Sequence, residues 1–555
     1  GTLDFGAENI AETDSTNSNG ILGGWATVDA TDWATNSTNA VNGPVTAYTG
    51  YTANTASSLG ATTANSDMSG GVDTTVAASV AINSIRFNDT AARTITIGSG
   101  QTLTVTSGGI LETANVGANA NLITGGTLAG GSSGLTVHQY DTDGTLTIDS
   151  IISGSGLTKS GPGTLVLGGG SANTFTGGAH VTGGELVLNK SGGVAAIPAA
   201  IGLNIYQSGV VRYQADDQIG TGAISIYEVG QLDFNGASDT VGNLVIVSTG
   251  ATGDTTPITN TAGDGTLTIG TLTITPLNGC NTTINTGTGT LALTNNLTFT
   301  AAGSGTAQIS GNLDLGAATR TFTVGDGDAW ADLVVDAAIS GGTGTGLTKT
   351  GTGRLVLSSA NTYTGPTTVA GILNIRDAAA LGTTDAGTVV ASGSALELQG
   401  GIAVGAEMLS INGTGVNVNG ALRNVSGDNV WGGAVTLAGT SRINSDSGTL
   451  TIASGSNMTG TFGLTVGGSG NVTINDGIAT GSTLTKDGIG TLTLGGSVSN
   501  TLTTATVNDG TLVLGKSDSA DAITGALTIG DSILAPATAV VRYGAGDQMT
   551  NGTIT

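Results

Sequence analysis

Aromatic residues make up only 3% of this 555-residue chain, which holds one cysteine, two histidines, seven prolines and 14 lysines and arginines. Each scarcity excludes something. Cys280 alone cannot close an internal disulfide, so order does not come from covalent staples. Fourteen scattered cations against 39 acids leave a net charge of −25. That balance offers phosphate no basic face, which excludes a nucleic-acid partner. No run of 18 apolar residues occurs, so no transmembrane segment is expected in this chain. No basic, apolar leader stands at the N-terminus, so a secretion signal is expected outside these residues. Charged residues are only 10%, against 38% hydrophobic and a mean hydropathy of +0.21. A disordered chain has the reverse balance.

What the chain has instead is glycine, 96 residues, and threonine, 95, together a third of its length. Each glycine inside a helix costs about 1 kcal/mol relative to alanine, so helices are expected to be few. Short alternating tetrapeptides recur: Thr102–Val105, Thr164–Leu167, Glu185–Leu188, Thr266–Ile269, Thr449–Ile452, Asn471–Ile474, Thr491–Leu494 and Thr511–Leu514. Each puts branched apolar residues on one face of a strand and threonine or another polar residue on the other. Starts at 164 and 185, and at 449, 471, 491 and 511, are 20 to 22 residues apart. That is the length of one coil of a β-solenoid, with equivalent strands stacked in parallel about 4.8 Å apart. The reading is an all-β parallel solenoid of about 20–22 residues per coil, roughly 26 coils and about 125 Å long. Residues 1–80 are the least periodic and are expected to cap or decorate a continuous solenoid over 81–555.

Above the coil lies a longer repeat. GLTKSGPGTLVLGGGSANTFTGGAHVTGGELVLNK (Gly156–Lys190) returns as GLTKTGTGRLVLSSANTYTGPTTVAGILNIR (Gly346–Arg376) and, more degraded, over Ser482–Lys516. These segments resemble the autotransporter-associated β-strand repeat, the passenger-domain repeat of secreted and surface-displayed bacterial proteins. The resemblance implies a right-handed β-helix outside the cell and says nothing specific about activity. The chain departs from an autotransporter in showing no membrane β-barrel pattern of ten-residue strands with aromatic girdles. Val540–Thr555 also matches Val210–Ser225, and the earlier copy continues to GQLDF (Gly230–Phe234) where this chain begins GTLDF (Gly1–Phe5). The expectation is a window cut from a longer array, or a subunit that associates with itself end to end or with neighbouring rods.

Candidate chemistry is sparse. Gly530–Ile533 has the look of a lipase serine block, but both histidines, His138 and His180, lie far upstream, and neither has metal-ligand company for zinc. Asp216 and Asp217 beside Arg212, and Asp326, Asp328 and Asp332 near Trp330, are the nearest approach to a carbohydrate-cleaving acid pair, and turn residues are the plainer reading. Asp141 and Asp143, and Asp326 and Asp328, have the two-residue spacing of Ca²⁺ loops without a terminal glutamate. They are weak calcium candidates; otherwise no cofactor and no catalytic residue is expected. Lys159, Lys349 and Lys486 recur at one repeat position and read as corner cations pairing locally. Trp25, Trp33, Trp330 and Trp431 read as core plugs first and as sugar-stacking platforms second. The functional expectation is a non-enzymatic extracellular or cell-surface stalk, matrix fibre or filament; the alternatives are an adhesin binding surface glycans through outer loops and, more remotely, a carbohydrate-active enzyme.

Overall fold

A computed structural model describes residues 1–249, 255–455, 458–478, 481–530, 538–549 and 552–555. It is all-β, a parallel β-solenoid of about 23 turns with about 23 residues per coil. Helical structure among the described residues is limited to two 3-10 turns, Ala114–Val116 and Val416–Val418. Among the described residues no helix is long and apolar enough to cross a membrane. The chain divides into two compact units, one of Gly1–Gly270 with Thr283–Leu291, the other of Thr271–Thr282 with Ala292–Thr555.

The first unit opens with a small sheet of its own: β1 (Leu3–Phe5), β2 (Glu12–Thr13), β3 (Ala26–Val28), β4 (Asp32–Asn36) and β5 (Gly43–Ala47). β1 and β3 are parallel, and β3–β4, β4–β5 and β2–β5 are antiparallel. Leu22, Ala26, Val28, Ala34 and Val45 form its core. Parallel stacking already begins at Thr52–Ala53 against Asn65–Asp67 and runs on through the unit. One inward column shows the register: Leu146, Leu165, Leu186, Val211 and Leu232 lie over one another at steps of 19, 21, 25 and 21 residues. All five are at most 1% exposed. The second unit repeats the device with Leu333, Leu355, Leu373, Leu396, Leu422 and Ile443. Burying each such side chain contributes about 1.5–3 kcal/mol, while Thr145, Thr147 and Thr164 on the Leu146 and Leu165 strands face outward.

Stacking at this distance leaves no room at the corners. In the three long copies the second glycine of the corner is Gly163, Gly353 or Gly490. A Cβ there would lie 1.8, 2.1 or 1.8 Å from the carbonyl oxygen of Asp141, Gly325 or Gly470 in the coil before it. The glycine two residues earlier has φ of +79°, +83° or +68°, a conformation that only glycine adopts cheaply.

The polar residues of the repeat are consumed by the same corners. The lysine of each LTK strand sits at an inward position, so its stem packs in the core and its ammonium turns back to the corner carbonyls. Lys159 Nζ donates to Ser160, Gly161 and Gly183 at 3.2, 2.9 and 2.9 Å. Lys349 donates to Thr350 and Gly351, and Lys486 to Asp487, Gly488 and Asp509. Burial pushes the Lys159 ammonium down to about 7 against the field of Glu185. The three carbonyl acceptors work the other way, since each needs a donor. A buried asparagine ties three successive coils together. Asn173 Oδ1 accepts from the Ile152 amide while its Nδ2 donates to the Ala196 carbonyl. Asn361 and Asn500 do the same for Ile339 and Ala380, and for Ile478 and Ala522. The matched segments near 210 and 540 share a clamp as well. Gln218 closes a two-way amide pair with the Lys190 backbone, and Gln548 closes one with Lys516.

Two buried carboxyls stand apart from these devices. Glu112 accepts from Gln139 Nε2 and Asn121 Nδ2 at 2.9 and 3.0 Å, and Glu407 accepts from the Thr388 hydroxyl at 2.9 Å. Burial pushes each up to about 7.

Two predictions follow from these contacts. Gly353→Ala is expected to cost about 2–4 kcal/mol, because backbone must move. Gly405→Ala, with nothing within 4 Å of its Cβ and no positive φ, is expected to cost well under 1 kcal/mol; urea midpoints compare the two. For the carboxyls, the folded chain holds protons that the unfolded chain releases above about pH 4.5, so their contribution is complete at low pH and is lost as pH rises through about 7. Glu112→Gln removes this dependence. Its stability relative to the parent is therefore expected to rise by up to about 3 kcal/mol between pH 5 and pH 8, read from denaturant unfolding at each pH.

Candidate functional site

The acidic residues singled out in the sequence are engaged in turns and do not converge. Asp141 accepts from the Asp143 and Gly144 amides, one on each oxygen. Asp216 accepts from the Ser238 amide, and Arg212 pairs with Glu185 and Asp233 instead of its acidic neighbours in sequence. Asp332 takes the Gly327 and Arg354 amides, while Asp326 and Asp328 are exposed in the loop before it. Among the described residues no group of three or more His, Cys, Asp or Glu is placed to hold a metal ion. His138 is buried, with Nε2 3.0 Å from the Gly24 carbonyl and Nδ1 3.1 Å from Ser160 Oγ. Burial pushes it down to about 4, so it is neutral at physiological pH. His180 stacks on Tyr206, which stacks in turn on Tyr227. The lipase-like serine, Ser532, lies outside the described residues.

The four tryptophans divide into two pairs. Trp33 and Trp431 are fully buried plugs, whereas Trp25 and Trp330 keep 38% and 46% of their surface exposed. Trp33 carries the N-terminal sheet onto the coils. It packs with Ile21 and Leu111 and meets the His138 ring edge-on at 5.7 Å. Gly24 approaches so near the coil that a Cβ would lie 2.3 Å from the Gly109 nitrogen. Arg86 completes the attachment: it pairs with Asp67 of its own ladder and with Asp32 of β4, and lies 3.6 Å over the Tyr51 ring.

Docking in this way leaves a groove of about 310 Å³ along the seam, with Trp25 on one side and coil residues on the other. Its floor is fixed by a chain of amides in which Asn19 donates to Asn83, Asn83 to Asn65, and Asn65 back to the Asn19 carbonyl. The hydroxyls of Ser18, Ser133 and Thr136 also line it, and among the described residues they carry no side-chain partner. Gly23 keeps the indole in place, since a Cβ there would lie 2.7 Å from Trp25 Nε1. A half-exposed indole facing open hydroxyls and amides offers one apolar platform and several hydrogen-bonding groups, the combination that a sugar ring takes up. The sequence pointed to Trp25 as a residue type. It gave no sign of the groove, whose walls come from segments more than 100 residues apart.

Comparison with known proteins places this architecture. Residues 157–188 and 347–375 match the passenger-associated-transport-repeat family. Over 412 residues, 66% of this chain, the sequence is 31% identical to the adhesin BmaC autotransporter of Brucella suis biovar 1 (strain 1330). The match covers 11% of that protein, so the chain spans about a ninth of its relative's length. No solved structure matches the chain significantly. The chain thus carries passenger-associated-transport-repeats on a parallel β-solenoid and is homologous to part of an autotransporter adhesin passenger.

Proposed function

We propose that the chain is a non-enzymatic stretch of an extracellular, cell-surface adhesin: a β-solenoid scaffold that bears contact sites for surface glycans on its outside. The homology to an adhesin passenger supports surface display. The observation that carries the contact role is the Trp25 groove, because the lysines and asparagines that recur with the repeat are already spent. The repeat lysines, asparagines and corner glycines all serve coil stacking. Asp141 and Asp332 cap turns, and Glu185 and Asp233 pair with Arg212, so these acids do not converge with a base for bond cleavage.

The test is a glycan array probed with the chain and with Trp25→Ala. The parent is expected to bind a defined set of neutral sugars, and the variant to lose about tenfold or more in affinity, equivalent to about 1.4 kcal/mol, with its melting temperature unchanged. A chain that retains no glycan would leave a purely mechanical stalk, and a variant that binds like the parent would remove the groove as the contact site.

A further inference from the structure

The second unit carries a different surface site, built from Trp330 and from two residues by which the second long copy departs from the other two. The first is Trp330, in the loop before the Leu333–Val335 strand. The second is Arg354, which opens the Arg354–Leu357 strand where the other copies have Thr164 and Thr491. The third is Arg376, one residue past the Ile372–Ile375 strand, where the others have Asn189 and Gly515. The backbone bonds fix this equivalence, since the amides of Arg376, Asn189 and Gly515 donate to Leu357, Leu167 and Leu494 at 2.9 Å each. In the first and third copies the cation comes one residue later, as Lys190 and Lys516, and its ammonium is buried against the Gly168 or Asp476 carbonyl. In the second copy the cation comes one residue earlier, so it lies outside.

Arg354 and Arg376 both approach the Trp330 ring, with their guanidinium carbons 4.3 and 5.1 Å from its centroid. The two guanidinia differ in what they have left to give. Arg354 is bidentate on Glu397, whose carboxylate also takes Arg423, and it donates to the Trp330 carbonyl as well. Arg442 is likewise bidentate on Asp487. Among the described residues the Arg376 guanidinium makes one hydrogen bond, Nε to Asn374 Oδ1 at 3.2 Å, and has no carboxylate partner. An exposed guanidinium thus stands beside a like charge with its terminal donors open, next to an indole with 46% of its surface in water.

We propose that Trp330 and Arg376 form a binding site for a sugar ring that carries a carboxylate, with the ring laid on the exposed indole and the carboxylate taken by the Arg376 guanidinium. The inference rests on the reading of the chain as a surface glycan binder and names the glycan class for this second site. A planar guanidinium matches a carboxylate through two parallel hydrogen bonds, and the pair is stronger beside an aromatic face than in open water. The site's own acids do not block it. Glu397 is saturated by its arginines, and Asp377 caps the Ala379 amide. Charges farther off than the Debye length, about 8 Å at physiological salt, are largely screened, so the chain's net charge of −25 weighs little on a contact made at Arg376 itself.

The probes are a hyaluronan tetrasaccharide, which alternates glucuronate with N-acetylglucosamine, and chitotetraose, its neutral counterpart, titrated calorimetrically into the full chain. Hyaluronan is expected to bind about tenfold or more tightly than chitotetraose, and Arg376→Gln and Trp330→Ala are each expected to remove about that factor. Arg376→Lys is expected to recover only part of it, because an ammonium lacks the paired geometry. Equal binding of the two sugars, an Arg376→Gln chain that binds like the parent, or poly-glutamate competing equally well in the Trp330→Ala chain would overturn the inference, the last in favour of an acidic peptide. Those results would leave the adhesive reading standing if neutral sugars still bound at Trp25. Loss of all glycan binding by the parent would remove both.

Discussion

One coil must lie directly on the next, and this constraint governs the rest of the structure. Stacking satisfies the backbone of every strand through its neighbours, so regular polar groups cause no difficulty. The difficulty moves to the corners, where chains turn and carbonyls are withdrawn from solvent without a strand partner. The repeat answers it with three devices at fixed positions: glycine where a neighbouring carbonyl occupies the space of a Cβ, lysine to donate to turn carbonyls from within, and asparagine to bridge the coils on either side. What resembles a family signature in the sequence is therefore a list of corner solutions. This explains why the repeat is so recognisable and yet carries so little information about activity.

The strands were legible because their information is local. Alternation in Thr164–Leu167 fixes which residues face inward, and the interval to Glu185 fixes the coil. The mean coil came out near 23 residues because some corners are longer, as in the 25-residue step from Leu186 to Val211. The recurrence of Lys159, Lys349 and Lys486 predicts local pairing, and their partners are backbone carbonyls reached from inside the core. The Asn173, Asn361 and Asn500 bridges had a visible signal, recurrence within SANTFTG and its variants, that polarity alone made easy to assign to a loop.

The surface sites were hardly legible at all, for a physical reason. Trp330, Arg354 and Arg376 are separated by 24 and 22 residues, about one coil each, and meet only because the register brings them onto one flank. The Trp25 groove demands still more, since its far wall, Ser133 and Thr136, becomes adjacent only when Trp33 and Arg86 seat the N-terminal sheet. Period and composition describe one coil at a time. The proposed sites arise from what neighbouring coils place side by side, and from where one copy of the repeat breaks its own rule.

The corner lysines have a chemical consequence. The chain has five lysines, and all of them, Lys159, Lys190, Lys349, Lys486 and Lys516, are at most 2% exposed. No ε-amine is therefore presented to the medium while the coils are closed. Reagents that acylate or cross-link amines find no lysine to modify, and trypsin finds no lysine side chain to enter its specificity pocket. The positive charge that the surface does show comes from guanidinium, most of it already paired with carboxylates. A coil that opened would reveal itself at once by acquiring a reactive amine.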